Sequence, residues 1–242
     1  MLNSLIFIIL NQSPKIFVEP ARIENFYLKG KEYTEVLIVE SQEAPSHIEI
    51  YLEDFIINER GEVKFNEKID GYSLKNLVKV SPRSFDLALN EKKEVRISFI
   101  LPDTMKANEK WCMIIVRAYP IKKEIPSIQV VGEIGIPLYA MYYGSDFKRV
   151  ELLNMGKFED KVFFTLYNLS PIHIRTSGTV YIKNNKKTLW EKKFENYVIL
   201  PLQKRRYEFN IHEIKKGTYT LICEIDYSSD EILKGESIIE IK

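Results

Sequence analysis

The chain has 242 residues, of which 45% are hydrophobic and 29% are charged, and 35 basic side chains nearly balance 34 acidic ones to give a net charge of +1. This balance disfavours a nucleic-acid-binding protein, which is usually clearly basic, and a disordered chain, which combines low hydrophobicity with high net charge. Two cysteines are too few for a disulfide-dense scaffold or a multi-cysteine zinc module. Aromatic residues make up 12% of the chain, and such a composition favours strands.

The chain begins with a short apolar segment, residues 5–10, which is too short to cross a bilayer. No Lys or Arg precedes this segment and no small-residue cleavage site follows it. Residues 1–14 are therefore expected to be either the remnant of a signal peptide or a buried first strand. No later segment is apolar for long enough to predict a membrane span.

Apolar and polar residues alternate with a period of two along most of the chain, as in residues 48–52, 95–99, 162–166 and 219–225. Each of these patterns is typical of a half-buried strand. Turns rich in Asn and Gly, such as residues 58–61, separate the strand-like segments. Since no segment has the sustained 3.6-residue period of a long helix, the sequence predicts an all-β protein with two immunoglobulin-like β-sandwich domains in tandem.

The domain boundary is predicted from a break in this pattern. A long strand-like segment, residues 128–143, is followed by Gly144-Ser145-Asp146, and the strand pattern then starts again near Phe147. We therefore predict a first domain at residues 15–144 and a second at residues 145–242. Both lengths suit one immunoglobulin-like sandwich of roughly 100 residues.

Two segments of the first half, VSPRSFDL at residues 80–87 and EVRISF at residues 94–99, are the most specific part of a longer pattern over residues 15–144. This pattern resembles the N-terminal immunoglobulin-like domain of the PapD family of periplasmic pilus-assembly chaperones. It is also similar to the related domain of WxL-interacting surface proteins of Gram-positive bacteria. The second half looks like a generic immunoglobulin-like or fibronectin-like module.

The resemblance implies how such a protein binds its partner. In the chaperones, the last strand of the first domain pairs with an incoming subunit, and an Arg and a Lys in the interdomain cleft bind the C-terminal carboxylate of that subunit. Arg22 falls at the position of this Arg, but Pro137 falls at the position of the Lys. Proline has no charged group and no amide donor, so the chain departs from the family at this anchor. From the residues alone, Arg22 is either a ligand anchor or a partner in a surface ion pair.

The resemblance also makes residues 128–136 the final strand of the first domain, with Ile128, Val130 and Ile134 on one apolar face. An edge strand with such a face invites pairing with another chain, because main-chain hydrogen bonds give affinity and alternate side chains give specificity. Arg22, Ile128, Val130 and Ile134 are therefore the predicted partner-binding residues. The alternative is that the strand is internal to its sheet and its apolar face lines the core.

No chemistry of catalysis or metal binding is predicted. The three histidines, His47, His173 and His212, lack metal-ligand spacing, and we expect each to be a solvated side chain in a strand or turn. Cys112 and Cys223 are expected to be buried thiols, the alternative being a disulfide between the two domains. Nucleophile motifs and phosphate-binding loops are absent from the sequence. We therefore predict no catalytic residue, no metal and no cofactor.

Two short basic clusters, residues 183–187 and 204–206, are expected to be solvated ends of hairpins. The alternative for them is contact with an anionic polymer or the cell wall.

These observations predict a non-enzymatic protein that acts outside the cytoplasm, in the periplasm, as a secreted protein or at the cell surface. Its expected role is protein binding, as a chaperone-like or surface-assembly accessory module with a surface or secreted protein as partner. The alternative is a structural, carbohydrate-binding or cell-wall-adhesion module. Solvent-facing aromatic side chains aligned on one sheet would favour sugar binding, whereas an exposed apolar strand edge would favour binding of an extended peptide.

The predicted boundary can be tested by limited proteolysis. If residues 145–242 fold as a domain, the first cut should fall between residues 142 and 157, because exposed connections between domains are cleaved first. Mass spectrometry of the earliest fragments locates the cut. Resistance in this segment, with cuts only inside either half, would contradict two independent domains.

Overall fold

The computed structural model describes residues 14–121, 131–212 and 214–242. In these residues the secondary structure is almost entirely β, apart from a short 3-10 turn at Lys75–Leu77. The strands, in chain order, are β1 (Ile16–Glu19), β2 (Ile23–Tyr27), β3 (Glu32–Ser41), β4 (Ser46–Glu53), β5 (Phe55–Ile57), β6 (Val63–Phe65), β7 (Val78–Ser81), β8 (Ser84–Leu87), β9 (Lys92–Ile100), β10 (Glu109–Pro120), β11 (Gly132–Tyr142), β12 (Val150–Phe158), β13 (Lys161–Asn168), β14 (Ile174–Asn184), β15 (Lys187–Ile199), β16 (Lys204–Asn210), β17 (Gly217–Asp226) and β18 (Ile232–Ile241). The predicted all-β fold class is confirmed. No helix among the described residues is long and apolar enough to span a membrane.

The chain folds into two compact units. The first unit comprises the described residues up to 54 together with residues 73–105 and 110–140, and the second comprises residues 55–72, 106–109 and 141–242. The second unit therefore includes the β5–β6 hairpin, which lies far from the rest of that unit in sequence. The predicted domain boundary after residue 144 stays a prediction. It assigned the β5–β6 hairpin to the first domain, because it divided the chain at a single position.

The first unit consists of two sheets. One has the strand order β1-β3-β9-β7 and the other β2-β11-β10-β4-β8, so the chain changes sheet between β1 and β2. Burial alternates along β4, where Ile48, Ile50 and Leu52 face the core, as the sequence pattern predicts. β10 is the third of five strands, and residues 111–116 are buried on both of its faces.

The core of the first unit lies between these two sheets. The aliphatic side chains of Leu37, Val95 and Ile114 are fully buried, and the ring of Tyr27 packs edge-on against Phe99 with 4.9 Å between centroids. Burial of apolar surface is the main source of stability in such a sandwich, at roughly 25 cal/mol per Å². The alternation in the sequence therefore becomes two apolar sheet faces packed against each other.

The second unit also has two main sheets, with strand orders β12-β13-β16 and β15-β14-β17-β18. A cluster of aromatic rings fills its core, and the rings of Phe164 and Tyr207, which are paired in register across β13 and β16, stack with 4.5 Å between centroids. Gly178 lies at a bulge in β14 against the main chain of Glu224, so close that a side chain at this position would collide with it. The two sandwiches predicted from the sequence are thus present.

The two cysteines are buried thiols, one in each unit, and neither forms a disulfide. Cys112 lies in β10 and Cys223 in β17. Burial raises the pKa of the Cys223 thiol to about 11, and it also raises the pKa of Cys112. The prediction of buried thiols is confirmed, and both side chains are accordingly poor nucleophiles.

His173 is not solvated, and the sequence prediction for it is wrong. It lies between Ile172 and Ile174 in the second unit, and its side chain is 2% exposed. The Glu109 carboxylate, which is fully buried, accepts a hydrogen bond from the main-chain N–H of His173 and lies 2.5 Å from the imidazole Nδ1. Because the two partners are 64 residues apart, no local sequence pattern could indicate the pair.

This pair predicts a large loss of stability when the carboxylate is removed. Glu109→Ala removes the acceptor of the buried His173 main-chain N–H and the partner of its imidazole Nδ1, and should lower the free energy of unfolding by about 3 kcal/mol or more. Asp86→Ala is the matched control, because Asp86 lies 2.6 Å from Nδ1 of His47 but the two side chains are 69% and 39% exposed. That exposed pair should contribute less than about 1 kcal/mol. Urea denaturation measures both, and equal losses would contradict the structural role of Glu109.

Candidate functional site

Arg22 lies immediately before β2 and its side chain is 53% exposed. Its Nε is 3.2 Å from the carboxylate of Glu24. The structure thus places Arg22 in a surface ion pair, one of the two roles left open by the sequence. An exposed pair of this kind holds the arginine only weakly, so its role as a ligand anchor stays a prediction. Pro137, at the position of the family's lysine, is half-buried within β11.

The strand predicted at residues 128–136 begins later in the structure, since β11 extends from Gly132 to Tyr142. Ile128 and Val130 lie outside the described residues. Ile134 is half-buried, and the next side chains on the same face, Ile136 and Leu138, are buried. The apolar alternation therefore lines the core along the second part of β11, as the alternative interpretation proposed.

The sheet order corrects the edge-strand prediction. β11 lies between β2 and β10, so it is not the edge of its sheet. However, β2 has only 5 residues and β11 has 11. β2 can thus pair with no more than about half of β11, and the prediction of an unpaired edge remains a prediction for the other half.

The start of β11 packs closely against the first described residue. A Cβ at Gly132 would lie 2.7 Å from the main-chain carbonyl oxygen of Pro14, which is closer than real Cβ atoms approach. Glycine is therefore required at this position, because only a hydrogen fits between the two main chains. Gly132 begins the strand on the same face as Ile134.

The opposite face of β11 carries a polar cluster that the sequence analysis missed. The guanidinium of Arg117 in β10 donates to Oε2 of Glu133 in β11 from both Nε and Nη2, at 2.8 and 2.6 Å. The Tyr51 hydroxyl in β4 donates to the same oxygen at 2.9 Å and accepts from Arg117. The guanidinium carbon lies 4.8 Å from the centre of the Tyr51 ring. Knowledge of the strand pairing would have indicated this cluster, because its three members point outward from three adjacent strands.

The cluster fixes β4, β10 and β11 to one another by charge and hydrogen bonding. Partial burial and the hydrogen bond to Glu133 raise the pKa of Tyr51 to about 12. Burial acts to raise the pKa of Glu133, but the hydrogen bonds from Arg117 and Tyr51 outweigh it and the pKa is below its ordinary value. Arg117 and Glu133 are therefore ionised at neutral pH and neutralise each other. The pair therefore carries no net charge.

A second network on this sheet has the connectivity of a hydrolase triad. Nε2 of His47 lies 3.1 Å from the Ser84 hydroxyl, and Nδ1 lies 2.6 Å from Asp86. Acyl transfer requires donors for the oxyanion and a site that excludes water, whereas the side chains of this network are exposed. We interpret the network as a link between β4 and β8 on the surface of the sheet.

Metal ligands do not converge within the described ranges, where no group of three or more His, Cys, Asp or Glu side chains could hold an ion. His47 lies beside the exposed carboxylates of Glu49 and Asp86, and the imidazole Nδ1 of His173 contacts the Glu109 carboxylate. The prediction that the protein works without a metal stays a prediction.

Comparison with known proteins gives structural matches only. No family model matches the chain, and no curated protein matches it. Among solved structures, the YadV chaperone superposes with a TM-score of 0.54 at 11% identity, over 92% of this chain and 98% of that chain. The class 5 fimbriae chaperone CfaA gives 0.51 at 14% identity, over 92% and 98%. The complex of the Salmonella enterica SafA pilin with the SafB chaperone gives 0.50 at 13% identity, over 96% and 97%.

These matches extend over both halves of the chain, whereas the sequence resemblance covered only the first. The second half, which looked like a generic module, thus also has its counterpart in the matched structures. At this level of identity the likeness concerns the fold. The chain has the two-domain immunoglobulin-like fold of the PapD-like fimbrial chaperones.

Proposed function

We propose that this chain is a non-enzymatic, chaperone-like protein-binding module that acts outside the cytoplasm and binds an extended segment of a partner protein along the first part of β11. The observation that carries this proposal is the difference in length between β2 and β11. A short strand beside a long one leaves main-chain donors and acceptors available for another strand. An added strand gains its affinity from these main-chain groups.

The side chains of β11 support the same position for a partner. Ile136 and Leu138 are buried in the core, whereas Ile134, which lies nearer the beginning of the strand on the same face, is half-buried. Apolar side chains thus become accessible toward the beginning of the strand. On the opposite face, Arg117 and Glu133 neutralise each other, so this pair presents no net charge to an incoming strand. Alternate apolar side chains along such a strand can supply specificity for a partner with the complementary pattern.

The matched structures support the class of partner. Their names describe chaperones of fimbriae, and one of them was solved as a complex of a chaperone with a pilin. On this basis we propose a secreted or surface protein as the partner and a periplasmic or other extracytoplasmic location. Arg22 would contribute to binding only if it left its ion pair with Glu24.

The arrangement of aromatic side chains favours protein binding over the carbohydrate-binding alternative. A sugar platform needs aromatic rings aligned on one face of a sheet. The exposed rings on strands are Phe17, Phe26, Phe65, Phe158 and Tyr197, which lie on β1, β2, β6, β12 and β15 in five different sheets, while Tyr143 and Phe147 lie between β11 and β12. No two exposed rings on the described strands therefore share a sheet, as an aligned sugar platform would require.

The proposal is tested by a pair of substitutions at adjacent positions. The probe is a synthetic peptide of alternating Val and Thr residues flanked by Lys, and its binding to the full chain is measured by fluorescence anisotropy. Val130→Lys should weaken binding by about tenfold or more, since a charged side chain cannot enter an apolar pocket of the partner. Val131→Lys is the matched control, because it places the same charge on the opposite face and should change binding by less than about twofold.

Thermal unfolding accompanies the binding measurements. Both variants should unfold within a few degrees of the unchanged protein. Unfolding of Val130→Lys would make this position part of the core and would refute strand capture. A normal fold with unchanged peptide binding would refute it as well.

A further inference from the structure

The second unit contains a cleft of about 1040 Å³ between the turn of the β5–β6 hairpin and strand β16. It is independent of the proposed site on β11, because all of its lining residues belong to the second unit. Its lining includes Arg60, Phe158, Tyr197, Arg205, Arg206 and Glu208.

Strand β16 presents an edge to this cleft. It is the last strand of the sheet β12-β13-β16 and pairs with β13 on one side. The main-chain N–H of Arg206 points to the other side, where it donates to the carbonyl oxygen of Glu59 in the hairpin turn at 2.7 Å. Because main-chain groups alternate in direction along a strand, the N–H and C=O groups of Glu208 also point away from β13. The hairpin turn thus pairs with the edge of β16 at Arg206, and the cleft continues along this edge at Glu208.

Arg205 is half-buried at the base of the cleft. Its guanidinium lies 4.5 Å from the ring centre of Tyr197 and 5.8 Å from that of Tyr207, and Nη1 donates to the carbonyl oxygen of Val198 at 2.8 Å. The hairpin turn covers it on another side, where a Cβ on Gly61 would meet Nη2 of the guanidinium. The expectation that residues 204–206 are a fully solvated hairpin end is therefore wrong for Arg205.

This arginine has no carboxylate partner among the described residues. Nη1 has its carbonyl acceptor, while Nε and Nη2 make no hydrogen bond within the described chain. Every buried side-chain nitrogen in the described chain does have a partner, so these two atoms are accessible from the cleft. Burial lowers the pKa of the guanidinium, which reflects the cost of holding an unpaired charge away from water. An anion beside it would offset that cost.

The other charges of the cleft do not supply this anion. Glu208 is held by Lys161 at 3.3 Å and by Arg206 at 2.7 Å. Glu62 accepts from Asn58 at 2.9 Å and pairs with Lys64 at 3.1 Å. These two carboxylates are already engaged, and the third acidic residue of the lining, Glu59, has no arginine side chain within ion-pair distance among the described residues.

Arg60 adds a second available cation at the hairpin turn. It is exposed, and although Glu62 lies near enough for Arg60 to help lower the pKa of its carboxyl, no carboxylate of the described residues lies within ion-pair distance of the Arg60 guanidinium. The cleft therefore offers two cations, one at its base and one at its rim, to an incoming negative group.

We infer that this cleft binds an acidic segment of a polypeptide in extended form, with a carboxylate on Arg205 and Arg60 and its main chain along β16. The two arginines supply the attraction for the carboxylate, because charge-assisted hydrogen bonds to guanidinium groups are strong and directional. The outward main-chain groups at Glu208 select a strand over a small anion. The ring of Phe158, which is 63% exposed at the end of the cleft, supplies an apolar surface for a neighbouring side chain.

The test uses the full chain and a ten-residue peptide of alternating Glu and Thr that carries a neutral fluorophore, with binding followed by anisotropy at low ionic strength. The variants are Arg60→Gln, Arg205→Gln and, as the matched control, Lys186→Gln, which removes one positive charge from the exposed turn between β14 and β15. We expect Arg205→Gln to weaken binding about tenfold and Arg60→Gln about threefold, with less than twofold for Lys186→Gln. A peptide with Gln in place of Glu should bind at least about tenfold more weakly.

Each contrary result overturns the inference. Equal effects of all three variants would mean general charge attraction, and wild-type binding by Arg60→Gln and Arg205→Gln would mean that the cleft is not the site. Complete displacement of the peptide by about 10 mM sodium acetate, beyond the effect of the same concentration of chloride, would mean a site for small anions only. If thermal unfolding shows that Arg205→Gln is misfolded, Arg60→Gln against Lys186→Gln decides alone. Val130→Lys should leave this binding unchanged, so that the two sites are tested separately.

Discussion

The structure depends on the requirement that buried main-chain donors and acceptors be paired, which leaves unpaired groups at the edges of sheets. In the first unit, β11 has 11 residues and its neighbour β2 has 5. The sandwich core is complete despite this difference, because Ile136 and Leu138 are buried in the part of β11 that lies deeper in the sheet. The core is thus complete although β2 is shorter than β11, and we propose that the part of β11 not paired with β2 receives a strand from another chain. The same requirement explains why the edge of β16 in the second unit is partly covered by a hairpin turn.

Charge is arranged differently in the two units. On the sheet of the first unit, Arg117 is neutralised by Glu133, and Tyr51 donates to the same carboxylate. In the second unit, Glu109 is fully used by His173 in the interior, while Arg205 is half-buried with no acid beside it among the described residues. A buried pair and an unpaired guanidinium have different consequences for the protein. The pair fixes the fold, whereas the guanidinium is suited to bind a negative group from outside.

Much of the fold could be predicted from the sequence, because it depends on local alternation. The buried face of β4 followed from the alternation in residues 48–52, and the two sandwiches followed from many short strands without helical periods. The predictions that were wrong concern pairing between distant segments. His173 was expected in solvent because its partner Glu109 is 64 residues away, and Arg205 was expected in a solvated turn because the hairpin that covers it belongs to the first half of the sequence. The strand that pairs with β11 was not predicted, because it depends on the change of sheet between β1 and β2. Hydrophobic periodicity gives no information about such a change.

The central claim is that the first part of β11 receives an added strand, and amide hydrogen exchange followed by mass spectrometry tests it most directly. The full chain is compared with and without a saturating peptide of alternating Val and Thr residues. The account predicts slower exchange in fragments that cover residues 128–136, because newly paired amides are protected, and no change in fragments from β18. Unchanged exchange at residues 128–136, or equal protection across the whole chain, would contradict it.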